Sequence, residues 1–339
     1  MFVTAAACNR VYDCVFIVSC LGFIVTLHHL LSLSAWIFRT CFRSEKNLIR
    51  TYGSWAVVTG ATDGIGKAFA CQLAERGLNL ILVSRTLQKL EAVAREIKAK
   101  NPKARVKVVA MDFACGDLSE GLRRVEEASE GLDVGLLVNN VGVTYPKAMF
   151  FEEVEESVWM KIVRVNVEGT TKVTKCVLRG MLERRKGAIV NIGSGAAAVL
   201  PSHPLFTVYA ATKAYVEQFS RSLYVEYGQY GIHVQCQVPL YVATKMVSKV
   251  AFIDKDSVFI PTAEAYARAA IGEIGYKPKS IPYWAHSVQG FFAHCIPDPL
   301  LDAWRFSIGV RRRNNHKSFT SDGISTFSAH VKATLIPAP

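Results

Sequence analysis

Thr59-Gly60-Ala61-Thr62-Asp63-Gly64-Ile65-Gly66 is the stretch whose reading decides the fold. The apolar, β-rich run Trp55-Ala56-Val57-Val58-Thr59 leads into it, and Lys67 to Glu75 beyond it reads as a helix. Glycines placed where a strand turns into a helix are the context that a dinucleotide-binding turn requires. Gly60 permits the tight turn, and Gly64 and Gly66 lack the Cβ atoms that would hold back a pyrophosphate or a packing strand. The helix that follows offers unpaired N–H groups and a partial positive charge to phosphates, with Thr62, Asp63 and Ile65 completing the cofactor-binding turn. The competing reading is an ordinary βα turn that happens to hold three glycines, and the elements around it speak against that.

The next strand, Leu78 to Val83, ends at Ser84-Arg85. An NAD-selective site places a carboxylate near this point to hold the ribose 2′-hydroxyl. A guanidinium stands here instead, suited to a 2′-phosphate by charge and fork geometry, so the expected cofactor is NADPH. A solvated surface arginine is the alternative. Asp112, ending the strand Val106 to Met111, is placed to meet the adenine edge. Apolar strands beginning near Trp55, Leu78, Val106, Val134, Ala188 and His233 alternate with helical stretches. That alternation implies an α/β fold, a Rossmann-type doubly wound and mainly parallel sheet. A seventh strand is expected near Ile281 to Trp284. The 339 residues allow one large domain with appendages, without internal repeats or a second nucleotide site.

Far downstream, Tyr209-Ala210-Ala211-Thr212-Lys213 sets a phenol and an ammonium one helical turn apart. Such pairs are usually mere neighbours on a helix face. Ketone reduction, however, needs a proton on oxygen as well as a hydride on carbon, and a free phenol with a pKa near ~10 exchanges its proton poorly near neutrality. A lysine at i+4 can stabilise the phenolate and lower that value.

With these residues in hand, the chain resembles the short-chain dehydrogenase/reductase family over Ser54 to Tyr276. Its Asn-Asn-Ala-Gly element is matched by Asn139-Asn140-Val141-Gly142, its structural asparagine by Asn166 and its catalytic serine by Ser194. The resemblance implies that Tyr209 is the acid, that Ser194 polarises the carbonyl, that Lys213 also holds the nicotinamide ribose and that Asn166 holds a relay water. It also brings Asn139 to the cofactor and Thr244 near the nicotinamide carboxamide. The stretches Tyr52–Ala56, Asn166–Thr174 and Gln235–Met246 are closer still to plant-type, membrane-bound very-long-chain 3-oxoacyl-CoA reductases and their 17β-hydroxysteroid dehydrogenase relatives. Two departures, Val141 for alanine and Leu240 for glycine, remove no catalytic group. The implied activity is NADPH-dependent reduction of long-chain 3-oxoacyl-CoA in very-long-chain fatty acid elongation, beside other elongase components. A 17-ketosteroid reductase and a catalytically silent, lipid-binding or scaffolding protein are the rivals.

The amino-terminal part differs in kind. Val11 to Phe38 is almost wholly apolar, long enough for a transmembrane helix, which needs about 20 residues. His28-His29 is awkward in hydrocarbon, and one solution spans Val11 to Leu27 with Leu30 to Phe38 at the interface. A cleaved signal peptide is the rival, although Arg10 gives only a thin basic region. Arg39, Arg43, Lys46 and Arg50 follow the segment, which places the catalytic domain in the cytosol by the positive-inside bias. The expected division is a membrane anchor with its basic flank over 1–50, a reductase domain with a carboxy-terminal substrate and lid region over 51–310, and a disordered basic tail over 311–339. Nine cysteines without a C-x-x-C pair fit a reducing compartment and offer no metal framework. The resemblance adds the endoplasmic reticulum membrane, although the chain ends Leu335–Pro339 without the lysine-based retrieval signal common in that group. The net charge of +12 suits lipid headgroups or coenzyme A phosphates, and no motif supports nucleic acid. Tyr241 to Thr262 reads as a lid. The aromatic stretch Ile281 to Val310 reads as an acyl tunnel, a membrane-surface helix or ordinary core.

Overall fold

The computed structural model describes residues 2–253 and 255–315. The chain divides into two units, Met1–Glu45 and Lys46–Pro339.

The first unit is one helix, Phe2–Cys41. Within it Val15–Phe38 forms a stretch of 24 residues with mean hydropathy 2.0, none of it buried in the protein. At about 1.5 Å per residue that stretch reaches about 36 Å, enough for a hydrocarbon core of about 30 Å. Thr26 turns its hydroxyl back onto the Gly22 carbonyl at 2.8 Å, which satisfies a polar group inside the apolar run. The helix continues unbroken through His28-His29.

The second unit is built on seven parallel strands, β1 (Trp55–Thr59), β2 (Asn79–Ser84), β3 (Val106–Ala110), β4 (Val134–Asn139), β5 (Gly187–Ile192), β6 (Ile232–Gln237) and β7 (Lys279–Ser280), in the order β3-β2-β1-β4-β5-β6-β7. β1, β4 and β5 are buried along their whole length, which is why they read as unbroken apolar runs rather than alternations. Alternate residues of β1 enter opposite cores. Ala56 and Val58 pack with Phe69 and Leu73 of the Gly64–Glu75 helix and with Tyr266 of the Ala263–Gly272 helix. Trp55 and Val57 pack with Val173, Val177 and Met181 of the Thr170–Arg184 helix. The strand order reverses between β1 and β4, which opens a crevice at the carboxyl ends of these two strands.

Two expectations are corrected. The seventh strand is Lys279–Ser280 rather than Ile281 to Trp284, because Pro282 has no N–H to extend the ladder and Trp284 opens a helix, Trp284–His294. The carboxy-terminal domain boundary does not fall at 310, since residues 298–315 are helical. The arginine run that reads as a solvated tail reaches back into the domain, where Arg312 donates to the Tyr241 hydroxyl at 2.9 Å and Arg313 pairs with Glu153. The rest of the expected tail, 316–339, lies outside the described residues.

A third correction concerns Asn139. Its side chain does not face the crevice. Asn139 and Asn191 lie opposite each other on β4 and β5, and the Asn139 amide donates to both Thr174 Oγ1 and Asn191 Oδ1 at 2.8 Å. Asn191 in turn donates to Ser220 Oγ at 2.8 Å, so a buried polar chain ties the sheet to two helices of one layer. Its members are fully enclosed, and removing one leaves partners that water cannot reach. Asn139→Ala is therefore expected to lower the unfolding free energy by about 1–3 kcal/mol. Urea denaturation measures this, and nucleotide affinity of the folded variant should stay unchanged.

Candidate active site

The glycine turn sits in the crevice between β1 and β4. Gly60 takes φ +65°, and a Cβ there would stand 2.9 Å from Asn140 Nδ2. A Cβ on Gly66 would meet both Asn140 Nδ2 and the Gly60 carbonyl at 2.3 Å, so the third glycine is required by backbone packing. Asn140 holds the turn by donating to the carbonyls of Thr59 at 3.0 Å and Gly60 at 3.2 Å. The Thr59 hydroxyl accepts the N–H groups of Asn140 at 3.0 Å and Val141 at 3.1 Å. Neither role was legible in the sequence, where the Asn-Asn pair marks a motif without saying which amide turns inward.

Asp63 caps the Gly64–Glu75 helix, accepting from the Gly64 N–H at 2.9 Å, and meets Lys245 Nζ at 2.8 Å. Desolvation pushes its carboxyl up, but Lys245 and the Gly64 amide together hold it below the usual carboxylate range. Thr62 shares a hydrogen bond of 3.1 Å with Ser84, and the exposed Arg85 follows at the end of β2. Ile65 turns its side chain to the core, leaving its backbone to the turn. Asp112 is exposed and accepts from the Ala114 N–H at 3.0 Å, so its carboxylate shapes the turn after β3. Thr244 caps the Lys245–Ala251 helix, and its methyl would lie 3.2 Å from a Cβ on Gly64. The lid thus closes on the glycine turn at two points, Thr244 against Gly64 and Lys245 on Asp63. An open turn, a helix N-terminus and a guanidinium at the end of β2 fit a phosphate-bearing dinucleotide.

Tyr209 and Lys213 rise from the first turns of the Thr207–Tyr227 helix. Ser194 caps the short Gly195–Ala198 helix through the Ala196 N–H at 3.1 Å. Burial pushes the Tyr209 phenol up, outweighing the downward pull of Ser194. The expectation that Lys213 lowers it is corrected: the ammonium donates to the Ile192 carbonyl at 2.8 Å. Burial brings Lys213 itself down to about 8. Desolvation favours the neutral form of both groups.

Asn166 lies in a π-helical stretch, Arg164–Gly169. Its amide accepts the Val143 N–H at 2.8 Å and donates to the Val143 carbonyl at 2.9 Å and to Thr212 Oγ1 at 3.0 Å. Both amide hydrogens are engaged, so the side chain braces the segment after Gly142. A Cβ on Gly142 would stand 3.5 Å from both Asn166 Oδ1 and Lys213 Nζ, which places these two groups around that glycine. The structure therefore gathers Ser194, Tyr209, Lys213 and Asn166, and the four sit beyond the carboxyl ends of β4 and β5.

Ser194 and Tyr209 open onto a cavity of about 640 Å³. Its walls are mainly apolar, with Leu240, Val250, Phe259, Phe292, Leu300 and Trp304 among them. The lid forming one side is clasped at its base by a bridge between Ala243 and Thr262. Of the readings open for Ile281 to Val310, the cavity wall holds for Phe292 and Trp304, although both also remain more than half exposed.

Behind the lid stands His286, fully buried, which sequence reasoning missed because a lone histidine in an aromatic run carries no signal. Nδ1 accepts from the Leu240 N–H at 3.3 Å, leaving Nε2–H to donate to the Tyr241 carbonyl at 3.1 Å. One donor and one acceptor define a neutral ring. Burial outweighs the backbone bonds and takes its pKa down to about 4. The unfolded chain has the higher pKa, about 6.5, so it gains the proton first as pH falls. Stability from this group is complete above about pH 6.5 and drains away toward pH 4. His203, brought down to about 3, and His233, brought down to about 4, act in the same direction. His286→Gln keeps one donor and one acceptor without a titrating ring. It is expected to flatten the acid limb of stability by ~3 kcal/mol, at 1.36 per unit, as read from urea unfolding between pH 7 and 4.

The sequence profile described as short chain dehydrogenase matches residues 54–252. The very-long-chain 3-oxoacyl-CoA reductase-like protein of Arabidopsis thaliana is 55% identical over 295 residues, covering 87% of this chain and 93% of that protein. The human inactive hydroxysteroid dehydrogenase-like protein 1 is 41% identical over 278 residues, 82% of each chain. Among solved structures, a 7β-hydroxysteroid dehydrogenase aligns with TM-score 0.68 at 23% identity, over 77% of this chain and 99% of that one, a likeness of fold. The profile covers more than half of the sequence and the Arabidopsis relative nearly all of it, and on these matches the chain belongs to the short-chain dehydrogenase family.

Proposed function

We propose that the protein is a membrane-anchored ketoreductase that uses NADPH to reduce long-chain 3-oxoacyl-CoA to 3-hydroxyacyl-CoA, a step of very-long-chain fatty acid elongation. The observation that carries the reading is the cavity. Ser194 and Tyr209 face an apolar space of about 640 Å³, room for a ketone on a long chain. The name of the Arabidopsis relative supports the substrate class.

NADPH, bound over the glycine turn, supplies the hydride. Every other task falls to the chain. Ser194 hydrogen-bonds the ketone oxygen and orients it. Tyr209 gives that oxygen its proton, which burial keeps on the phenol until that step. Lys213 holds the ribose hydroxyls and the proton path. With the Asn166 amide committed to Val143 and Thr212, a relay water would be met by backbone groups of the π-helical turn. Thr62, Asp63, Gly64 and Ile65 would hold the pyrophosphate, Arg85 the 2′-phosphate, Asp112 the adenine and Thr244 the carboxamide. The apolar stretch Val15–Phe38 of the amino-terminal helix serves as a single membrane span, residues 46–315 stand in the cytosol, and the endoplasmic reticulum is the membrane implied. Elongase components with complementary steps are the partners.

Two other readings are tested alongside. The hydroxysteroid dehydrogenase-like relatives keep a 17-ketosteroid in view, and those named inactive keep a silent lipid-binding protein in view. An unbroken Ser194, Tyr209 and Lys213 set favours turnover.

NADPH oxidation by the purified full chain in detergent, with a long 3-oxoacyl-CoA, is expected to proceed in wild type and to fall at least about 100-fold in Tyr209→Phe, the scale of lost general acid catalysis. Reduction of a 17-ketosteroid alone would favour the second reading, and equal rates in both proteins would favour the third. Arg85→Glu is expected to lower kcat/KM for NADPH about 10- to 100-fold, the worth of a charge-assisted bond to phosphate, while sparing NADH.

A further inference from the structure

The apolar cavity contains a charge that no carboxylate among the described residues balances. Arg305, on the helix over 298–315, lines the cavity and is only 6% exposed. Its Nη2 lies 3.1 Å from the ring nitrogens of His203. Its Nε is buried with no hydrogen-bond partner. A second guanidinium, Arg312, lines the same cavity and donates to the Tyr241 hydroxyl at 2.9 Å while stacking on that ring at 5.3 Å. Among the described residues, no carboxylate forms an ion pair with either arginine. Asp302, one turn before Arg305, is engaged by the Ser202 hydroxyl, and Glu153 is taken by Arg313.

The two neutral groups facing these arginines register the field. Burial and both guanidinium charges bring His203 down to about 3, so it remains an uncharged acceptor. Burial pushes the Tyr241 phenol up, yet the two arginines outweigh it and hold it below its ordinary value. Tyr209, Tyr241 and both arginines line the same cavity, so the arginines share the space onto which the phenol opens.

Guanidinium groups bury badly. An uncompensated charge taken from water costs several kcal/mol, and a guanidinium with five N–H donors finds here a histidine, a phenol and apolar walls. Such a group persists where its counter-charge arrives with a ligand. The planar fork matches the paired oxygens of a carboxylate or phosphate, and the neighbouring walls, Phe292, Ile296, Leu300 and Trp304, suit an alkyl chain.

We infer that Arg305, supported by Arg312, forms an anion-binding subsite inside the substrate cavity, which takes the carboxylate or phosphate of a long-chain acid or its coenzyme A ester. The inference deepens the proposed function and rests on it for the identity of the cavity as the substrate site. It separates the readings at that site, because a neutral 17-ketosteroid leaves Arg305 without a counter-charge.

The test uses binding, so that it stands apart from turnover. Decanoate, decanoyl-CoA and decan-1-ol are titrated into the purified full chain by calorimetry, with wild type, Arg305→Met and Arg305→Lys. Wild type should bind at least one of the two anions about 10-fold or more tighter than the alcohol, as a charge-assisted hydrogen bond allows. Arg305→Met should abolish that preference without weakening the alcohol, and Arg305→Lys should recover part of it. Loss confined to decanoyl-CoA identifies phosphate as the anion, and loss on decanoate identifies carboxylate. Equal binding of acid, ester and alcohol by wild type overturns the inference even if the methionine variant does not fold, as does an equal loss on all three ligands in that variant. A reductase lacking any anion preference would sink the subsite and leave the proposed reaction standing. An anion preference in a protein without Tyr209-dependent turnover would do the reverse.

Discussion

The Thr59 hydroxyl holds the ends of two strands together, and the site is organised around that junction. β1 and β4 are neighbours whose onward connections leave on opposite faces, so nothing regular fills the space beyond their carboxyl ends. Thr59 accepts two N–H groups of the segment after β4, and Asn140 returns two bonds to the segment after β1. The Gly60–Gly66 packing forms around that latch, at a separation that admits no Cβ. Crevice, glycine turn and helix N-terminus are therefore consequences of a single junction.

The groups of the reaction are held by a different device. Lys213 hangs from the Ile192 carbonyl, Asn166 is bolted to Val143, and Ser194 caps a helix. Each has a structural bond that fixes its direction. Burial acts on phenol and ammonium with opposite sign in pKa but the same result, since it disfavours charge in both. The phenol therefore keeps its proton in the closed site, and the ammonium gives up its own more readily than a free lysine does.

The apolar cavity draws on parts of the chain that lie far apart in sequence. The lid after β6, the Trp284–His294 helix and the helix over 298–315 meet around the cavity. His286 braces Leu240 and Tyr241 from behind, and Arg312 reaches Tyr241 from the last described turn. The wall that would distinguish one ketone from another is thus assembled from the segments with the weakest family pattern.

What the sequence determined by itself follows from periodicity and local chemistry. Six apolar strands near their expected starts, the strand-to-helix glycine turn and the Tyr209-Lys213 spacing are properties of contiguous residues, and for β1, β4 and β5 burial on both faces demands the apolar run. The tertiary structure alone decided which of two adjacent amides enters the core, since Asn139 and Asn140 are chemically identical and only their positions relative to β5 and the glycine turn separate them. It alone decided that Pro282 ends the sheet early and that the arginine run continues a helix. It also decided the character of the cavity: His203, Tyr241 and the helix that carries both Arg305 and Arg312 come from separate parts of the chain, and a buried charge shows its meaning only when packing removes water from around it.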